Sequence, residues 1–293
     1  MKKKNVGRFF TVPMVITIAL LALIILSSLF APAVAPYRPE ALDMDRALQL
    51  PSAAHLLGTD NVGRDILSRL IFGSRITLLS ALAVVVISVI IGVPLGLISG
   101  YYGGRIDNAI MRVEDVVLAF PALLLAFLFV ASFGKNITSA IIALGIVYVP
   151  MISRLTRSLA LMERSKAYVE AAQSIGFSDG RIIFRHILPN CVSTIMTQLT
   201  LDIGYAILDL AALSFLGMGV QPPTSDWGVM LEEGRAFIQR NPMLCLAPGC
   251  AIILTVVLFN VLSDNIQMYL DPTQRKLPPF KKLKKLAGGL VER

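Results

Sequence analysis

Two carboxylates, Asp202 and Asp209, sit inside an apolar run that spans about residues 192–219. Seven residues apart, they share roughly one helix face. An acidic group within a membrane is costly and usually faces a bundle interior or water. Two chemistries stay open. One carboxylate can face a passage and meet a cationic group such as an ammonium, or the pair can make interhelix hydrogen bonds or an ion pair with a partner subunit. A shared-proton catalytic dyad does not fit, because seven residues at helical rise separate the two by ~10 Å along the axis. Glu114 and Asp115 precede another apolar run and read as acids favoured by a helix N-terminus. His55 and His186 both lie outside the apolar runs, so no histidine relay operates within them. Cys191, Cys245 and Cys250 lack CxxC or metal-site spacing and read as small apolar helix residues. The GxxxxGK[ST] phosphate loop, HExxH and Gly-x-Ser-x-Gly are absent, so this chain carries no ATP-hydrolysing, zinc-protease or serine-hydrolase signature.

Three polar stretches carry denser patterns. The first contains Gly58-Thr59-Asp60 and Gly63-Arg64-Asp65. Asp60 or Thr59 is positioned to cap a helix with Val62, Ile66 and Leu70 on one stripe, ended by Gly73 and lying at an interface. An Asp–Arg pair is the other chemistry available there. The second runs from Ser214 to Leu231, where Ser225 is placed to cap a helix carrying Trp227, Met230, Leu231, Phe237 and Ile238 on one side. Trp227, the only tryptophan, reads either as an interfacial anchor or as part of an outer gate.

The third stretch reads Glu170-Ala-Ala-Gln-Ser-Ile-Gly176, with His186-Ile-Leu-Pro189-Asn190 closing it. Ala167 to Ile175 are good helix formers, and Gly176 suits a left-handed C-cap. Ser178 or Asp179 can start a second helix, expected to end before Pro189. The prediction is two short helices joined by a glycine turn, with Ala171 and Ala172 allowing close approach of a partner and Glu170 holding a basic group or backbone donor.

These residues must be positioned by membrane helices. The 293 residues are 55% apolar and only 16% charged, well below the ~25% charge of soluble domains. Six runs long enough to cross ~30 Å of hydrocarbon are expected at about 12–31, 76–99, 116–133, 137–153, 192–219 and 243–263. Ala33-Val34-Ala35 resembles a signal-peptidase site, but the preceding run exceeds a ~7–15-residue signal core, so it reads as an uncleaved first helix. With the N-terminus inside, most of the 27 Lys and Arg fall on inner segments, as the positive-inside rule requires. Topology thus accounts for the net charge of +8, and nucleic acid is not an expected partner. Gly92, Gly96, Gly100 and Gly104 recur every fourth residue, a helix-packing signal in lipid. Pro94, Pro121, Pro150 and Pro248 mark potential kinks. The organisation expected is 1–75 (terminus, first span and outer amphipathic segment), 76–265 (a five-helix core including the polar stretch 154–190) and 266–293 (a basic tail for topology or lipid contact).

Glu170, Ala171, Ala172, Gly176, His186, Leu188, Pro189 and Asn190 match the "EAA" signature of ABC importer permeases. The run at Gly58–Asp65 narrows the resemblance to the dipeptide/oligopeptide/nickel group, and the run from Ser214 to Leu231 is also typical of it. The resemblance covers about Thr11 to Pro272. The resemblance implies an all-α, six-span, type I importer permease in a bacterial inner membrane, with both termini cytoplasmic. It also implies that residues 154–190 form a cytoplasmic coupling segment docking on an ATPase subunit. The implied partners are a second, homologous permease, two ATPases that hold ATP and Mg, an extracytoplasmic binding protein, and membrane lipid, with no cofactor or metal bound by this chain. Alternating access is the implied mechanism. Substrate is left between peptides and nickel chelates, with Asp202 or Asp209 on the pathway.

Overall fold

A computed structural model describes residues 12–270, all helix and loop apart from one isolated bridge between Thr59 and Asp65. The basic residues Lys2–Lys4 and Arg8 and the tail beyond 270 lie outside the described residues. The helices are α1 (Val12–Leu29), α2 (Ala31–Val34), α3 (Ile66–Tyr102), α4 (Gly104–Leu118), α5 (Ala122–Phe133), α6 (Ile137–Arg164), α7 (Ala167–Ser174), α8 (Asp179–Ile182), α9 (Leu188–Phe215), α10 (Trp227–Arg235) and α11 (Met243–Leu270). Among the described residues, α3, α6, the continuous α8–α9 stretch and α11 are each long and apolar enough to cross a membrane. The bent pair α4–α5 makes a fifth such element, and α1 contributes a shorter apolar helix over Met14–Leu29.

The bundle is organised on the α3–α6 pair. Gly92, Gly96 and Gly100 face α6 so closely that a methyl group on each would meet the carbonyl of Val149, Ser153 or Arg157 at 2.9, 2.3 or 2.6 Å. Only a residue without Cβ lets two helix backbones approach this far. Gly104 is not part of the stripe: it follows the break at Gly103 and faces open space. A core of Val84, Leu144, Ile207, Leu210 and Leu213 joins α3, α6 and α9. A second cluster, Leu97, Ala160, Val169, Ile182 and Ile187, fastens α7 and α8 to the end of that bundle.

Three expected elements differ from those observed. Gly73 does not end a short amphipathic helix, since α3 starts at Ile66 and continues unbroken for 37 residues. A mid-helix glycine costs only about 1 kcal/mol against alanine, and Gly73 packs against the backbone of Ser225 and Asp226, where a methyl group would sit at an ordinary contact distance of 3.4 Å. The span expected over 116–133 is instead two helices meeting at 82° across Ala119–Pro121. Proline cannot donate to the helix ladder and restricts the residue before it. Glu114 and Asp115 therefore end α4 and do not begin a span. Nor does the second helix of the polar hairpin stop before Pro189: α8 widens through a π turn at Ile183–Ile187 and runs into α9, placing Pro189 in its first turn. There the missing N–H costs little, and the wide turn ahead of it accommodates the ring.

Candidate functional site: the polar hairpin and the opposite cap

Helix α7 ends as its sequence predicts. Gly176 has φ +86°, its N–H donates to Gln173 O at 2.9 Å, and Phe177 N–H reaches back to Ala172 O at 3.1 Å. That pattern closes a helix through a left-handed residue. Val169 and Ala172 point into the bundle, whereas Glu170, Ala171, Gln173 and Ser174 are exposed. Ile175, the C-cap of α7, is 73% exposed, and beyond the turn Phe184 is 61% exposed. The two alanines thus have different jobs: Ala172 packs inward and Ala171 belongs to the free face. His186 stacks on Phe177 at 5.7 Å between ring centroids, and Arg181 lies 5.0 Å from the same ring. Pro189 is exposed at the start of α9.

Two tyrosines that the sequence reading passed over anchor this hairpin. Tyr101, at the end of α3, donates to Asp179 Oδ1 at 2.8 Å and accepts from Gln173 Nε2 at 3.3 Å. Tyr168 donates to Glu163 Oε2 at 2.7 Å and accepts from Asn190 Nδ2 at 3.2 Å. Burial, reinforced by the Glu163 carboxylate, pushes the Tyr168 hydroxyl up to about 12, so it stays a donor at neutral pH. The hairpin is thereby held by α3, α6 and α9 while its outer face stays free.

The opposite end of the bundle is capped by residues 35–65 and α10. Gly58 and Gly63 have φ +82° and +80°, and a Cβ would strike Gln49 O and Asp43 O at 2.3 and 1.7 Å. Both positions require glycine. Asp60 does not cap a helix as expected. It accepts from the backbone of Val62 and Arg64 and binds two guanidinium groups, Arg64 Nε at 2.5 Å and Arg69 Nη1 at 2.7 Å. Glu233 of α10 completes the cluster, at 2.6 Å from Arg69 Nη1 and 3.1 Å from Arg64 Nη2. Asp65 is the actual cap of α3, accepting from Ser68 N while His55 Nδ1 stands 2.9 Å from its other oxygen. Thr59 accepts from Gln49 N, and its carbonyl accepts from Asn241 Nδ2.

Trp227 is 2% exposed, which corrects the anchor reading. Its indole donates to Leu70 O at 3.0 Å and its backbone N–H to Thr77 Oγ1 at 3.3 Å, bolting α10 to α3. Asp226, not Ser225, caps α10, accepting from Val229 N and from Ser214 Oγ. Burial pushes its carboxyl up against the opposing pull of those bonds. Phe237 and Ile238 lie beyond the end of α10.

The intramembrane acids have separate surroundings. Asp209 accepts from Tyr148 of α6 at 2.8 Å, an interhelix bond. Asp202 is 2% exposed, accepts from Gln198 one turn earlier, and leaves Oδ2 without a partner. Neither is open to the surface as a free carboxylate. Glu233 and Asn241 are not legible in the sequence because their partners lie far along the chain, and Arg69, nine residues from Asp60, lacks a helical spacing to it; the i, i+4 spacing of Asp60 and Arg64 was the one local signal.

A membrane-embedded bundle with a braced, outward-facing polar hairpin has the fold of a type I ABC importer permease. It is similar to a solved inward-facing form of the MetNI methionine ABC transporter, with a TM-score of 0.59 and 17% identity over 70% of this chain and 98% of that one. Residues 92–276 match the model of the binding-protein-dependent transport system inner membrane component family, and the chain belongs to that family. It is 43% identical over 263 residues to a dipeptide transport system permease of Alkalihalophilus pseudofirmus, covering 88% of this chain and 86% of that one. A glutathione transport system permease of Pectobacterium atrosepticum is 43% identical over 85% of this chain and 83% of its own length. A probable D,D-dipeptide permease of Escherichia coli is 42% identical over 89% and 88%.

Proposed function

We propose that this chain is the permease subunit of an ATP-driven importer that moves di- or oligopeptides across the bacterial inner membrane by alternating access. The observation that carries the reading is the near-full-length identity to permeases named for dipeptide transport. Those names favour peptides over the nickel-chelate alternative. ATP and Mg are held by two partner ATPases, and this chain contributes no cofactor site. The free face of α7, with Glu170, Ala171 and Ile175, is the coupling surface that docks on an ATPase in the cytoplasm. The cap of residues 35–65 and α10 faces the extracytoplasmic side, where a binding protein delivers substrate. A second, homologous permease completes the pathway, and both termini are cytoplasmic.

The test is ATP-dependent uptake in proteoliposomes containing this chain, its partner permease, the ATPases and the binding protein, with labelled dipeptide and nickel chelate offered in parallel. Peptide uptake that is lost in Gly176→Val, while the ATPases still turn over, is the expected result. A β-branched residue forced to positive φ costs about 1–3 kcal/mol and unseats the docking face. Nickel uptake alone would move the chain to the metal branch.

A further inference from the structure

One buried acid takes no part in either the hairpin or the cap. Between α3, α4 and α6 lies an apolar groove of about 440 Å³, lined by Ile91, Leu95, Val113, Ile146, Pro150 and Glu114 among others. Glu114 is 3% exposed, and no donor reaches its carboxylate oxygens in full hydrogen-bond geometry, the Ser153 hydroxyl beside it making the nearest approach. Arg154 is its facing cation, but the Nε stands 3.9 Å from Glu114 Oε2, and Nη2 of the same guanidinium engages Asp115. The buried Ser153 hydroxyl interacts with that carboxylate and is otherwise unpartnered, and the Thr156 hydroxyl one turn further along α6 has no hydrogen-bond partner.

A buried carboxylate with a single weak donor is a strained arrangement until something supplies more. A primary ammonium brings three N–H donors and no acceptor. Two carboxylate oxygens and one hydroxyl provide the matching three acceptors. The walls around them are aliphatic, so whatever carries that ammonium presents an apolar group next to it. A peptide's free amino terminus followed by an apolar side chain has this chemistry. The groove's volume lies within the ~300–1,000 Å³ of small-ligand sites. Asp202 and Asp209 are poorer candidates, because neither lines this groove and each already accepts a side-chain hydrogen bond, from Gln198 and Tyr148.

We propose that Glu114 and Ser153 form a subsite that holds the free ammonium of a peptide substrate, with the groove between α3, α4 and α6 receiving the adjacent side chain. The inference rests on the peptide reading above.

The test is direct binding of labelled Leu-Ala and N-acetyl-Leu-Ala to the assembled permease–ATPase complex in nanodiscs, without binding protein, beside uptake by the complete system. Wild type should bind Leu-Ala and not its acetylated form. Glu114→Gln should weaken that binding about tenfold or more, the worth of a lost charge-assisted contact. Ile91→Trp, which fills the groove and keeps the carboxylate, should weaken it too. If Glu114→Gln binds as wild type, or the acetylated peptide binds equally well, the subsite is wrong while peptide uptake by wild type keeps the broader reading intact. Loss of the second permease from purified Glu114→Gln complexes would instead make the groove a subunit contact and overturn the proposal. A wild-type system that takes up no peptide at all would remove the peptide reading, and the subsite with it.

Discussion

Replacing Arg69 with methionine keeps most of the side chain's length but removes the charge at the centre of the cap. Arg69 is 2% exposed and bridges Asp60 and Glu233 at 2.7 and 2.6 Å. Without it, two carboxylates share only Arg64, and one negative charge is left uncompensated in a buried cluster. Breaking one side of a buried ion pair costs about 3–5 kcal/mol. The lower end applies, because Asp60 keeps Arg64 Nε and two backbone donors. At roughly 2–4 °C per kcal/mol, a loss of ~3 kcal/mol lowers the melting temperature by about 6–12 °C. The assay is thermal unfolding of the detergent-solubilised complex followed by size-exclusion fluorescence. Charge counting gives a second, sharper expectation: Arg69→Met combined with Glu233→Gln leaves one anion and one cation and should recover about half the loss. A single variant within about 2 °C of wild type, or a double variant no better than the single, would refute the electrostatic account of the cap.

Other perturbations have equally definite outcomes. Gly96→Ala places a methyl 2.3 Å from Ser153 O and should cost about 1–3 kcal/mol by overpacking, read as a lower melting temperature; Gly180→Ala, in open space, should stay within about 0.5 kcal/mol. Trp227→Phe removes the indole donor to Leu70 O and should destabilise by about 1–3 kcal/mol, with a larger loss for Trp227→Ala measured the same way. Asp226 has its carboxyl raised by burial above the ordinary 3.8, so the folded state holds this proton more tightly than the unfolded chain does. Stability from this group is therefore greatest below pH ~4 and declines as pH rises from there through the folded value. Melting temperature measured against pH should show that decline in wild type and a flatter profile in Asp226→Asn.

Short-range patterns were the legible part of the sequence. Helix α7, its termination at Gly176 and the close packing of Gly92, Gly96 and Gly100 all follow from neighbours within a turn or two. The apolar core runs were also readable, because burial in lipid needs little more than length. Element ends were less so. Gly73 and Pro189 both carry stop signals that tertiary packing overrides, one held against Ser225–Asp226 and the other absorbed by a π turn. The break at Pro121 was hidden because apolar residues continue on both sides of it, so hydropathy saw one span where backbone chemistry makes two. The burial of Trp227 and the Arg69–Glu233 bridge depend on α10 folding back onto α3, more than 150 residues away in the chain, which no local pattern encodes. The carboxylate that the structure singles out, Glu114, read in sequence as an ordinary helix-end acid.

Helix α3 touches both ends of the molecule. Its first turns carry Arg69 and the carbonyl that receives Trp227, and its last carries Tyr101, the mount of the hairpin. Thirty-seven residues at 1.5 Å rise make a rod of ~55 Å. Near one end it is pinched against α6 at Gly92, Gly96 and Gly100. Centred on Gly96, those contacts form a fulcrum that divides the rod into arms of ~45 Å toward the cap and ~9 Å toward the hairpin. If α3 turns as a rigid lever there, each ångström pushed in at its hairpin end emerges as ~5 Å at the cap. Under the coupling role proposed above, a nudge from the docked ATPase would be geared up into the travel that a gate needs.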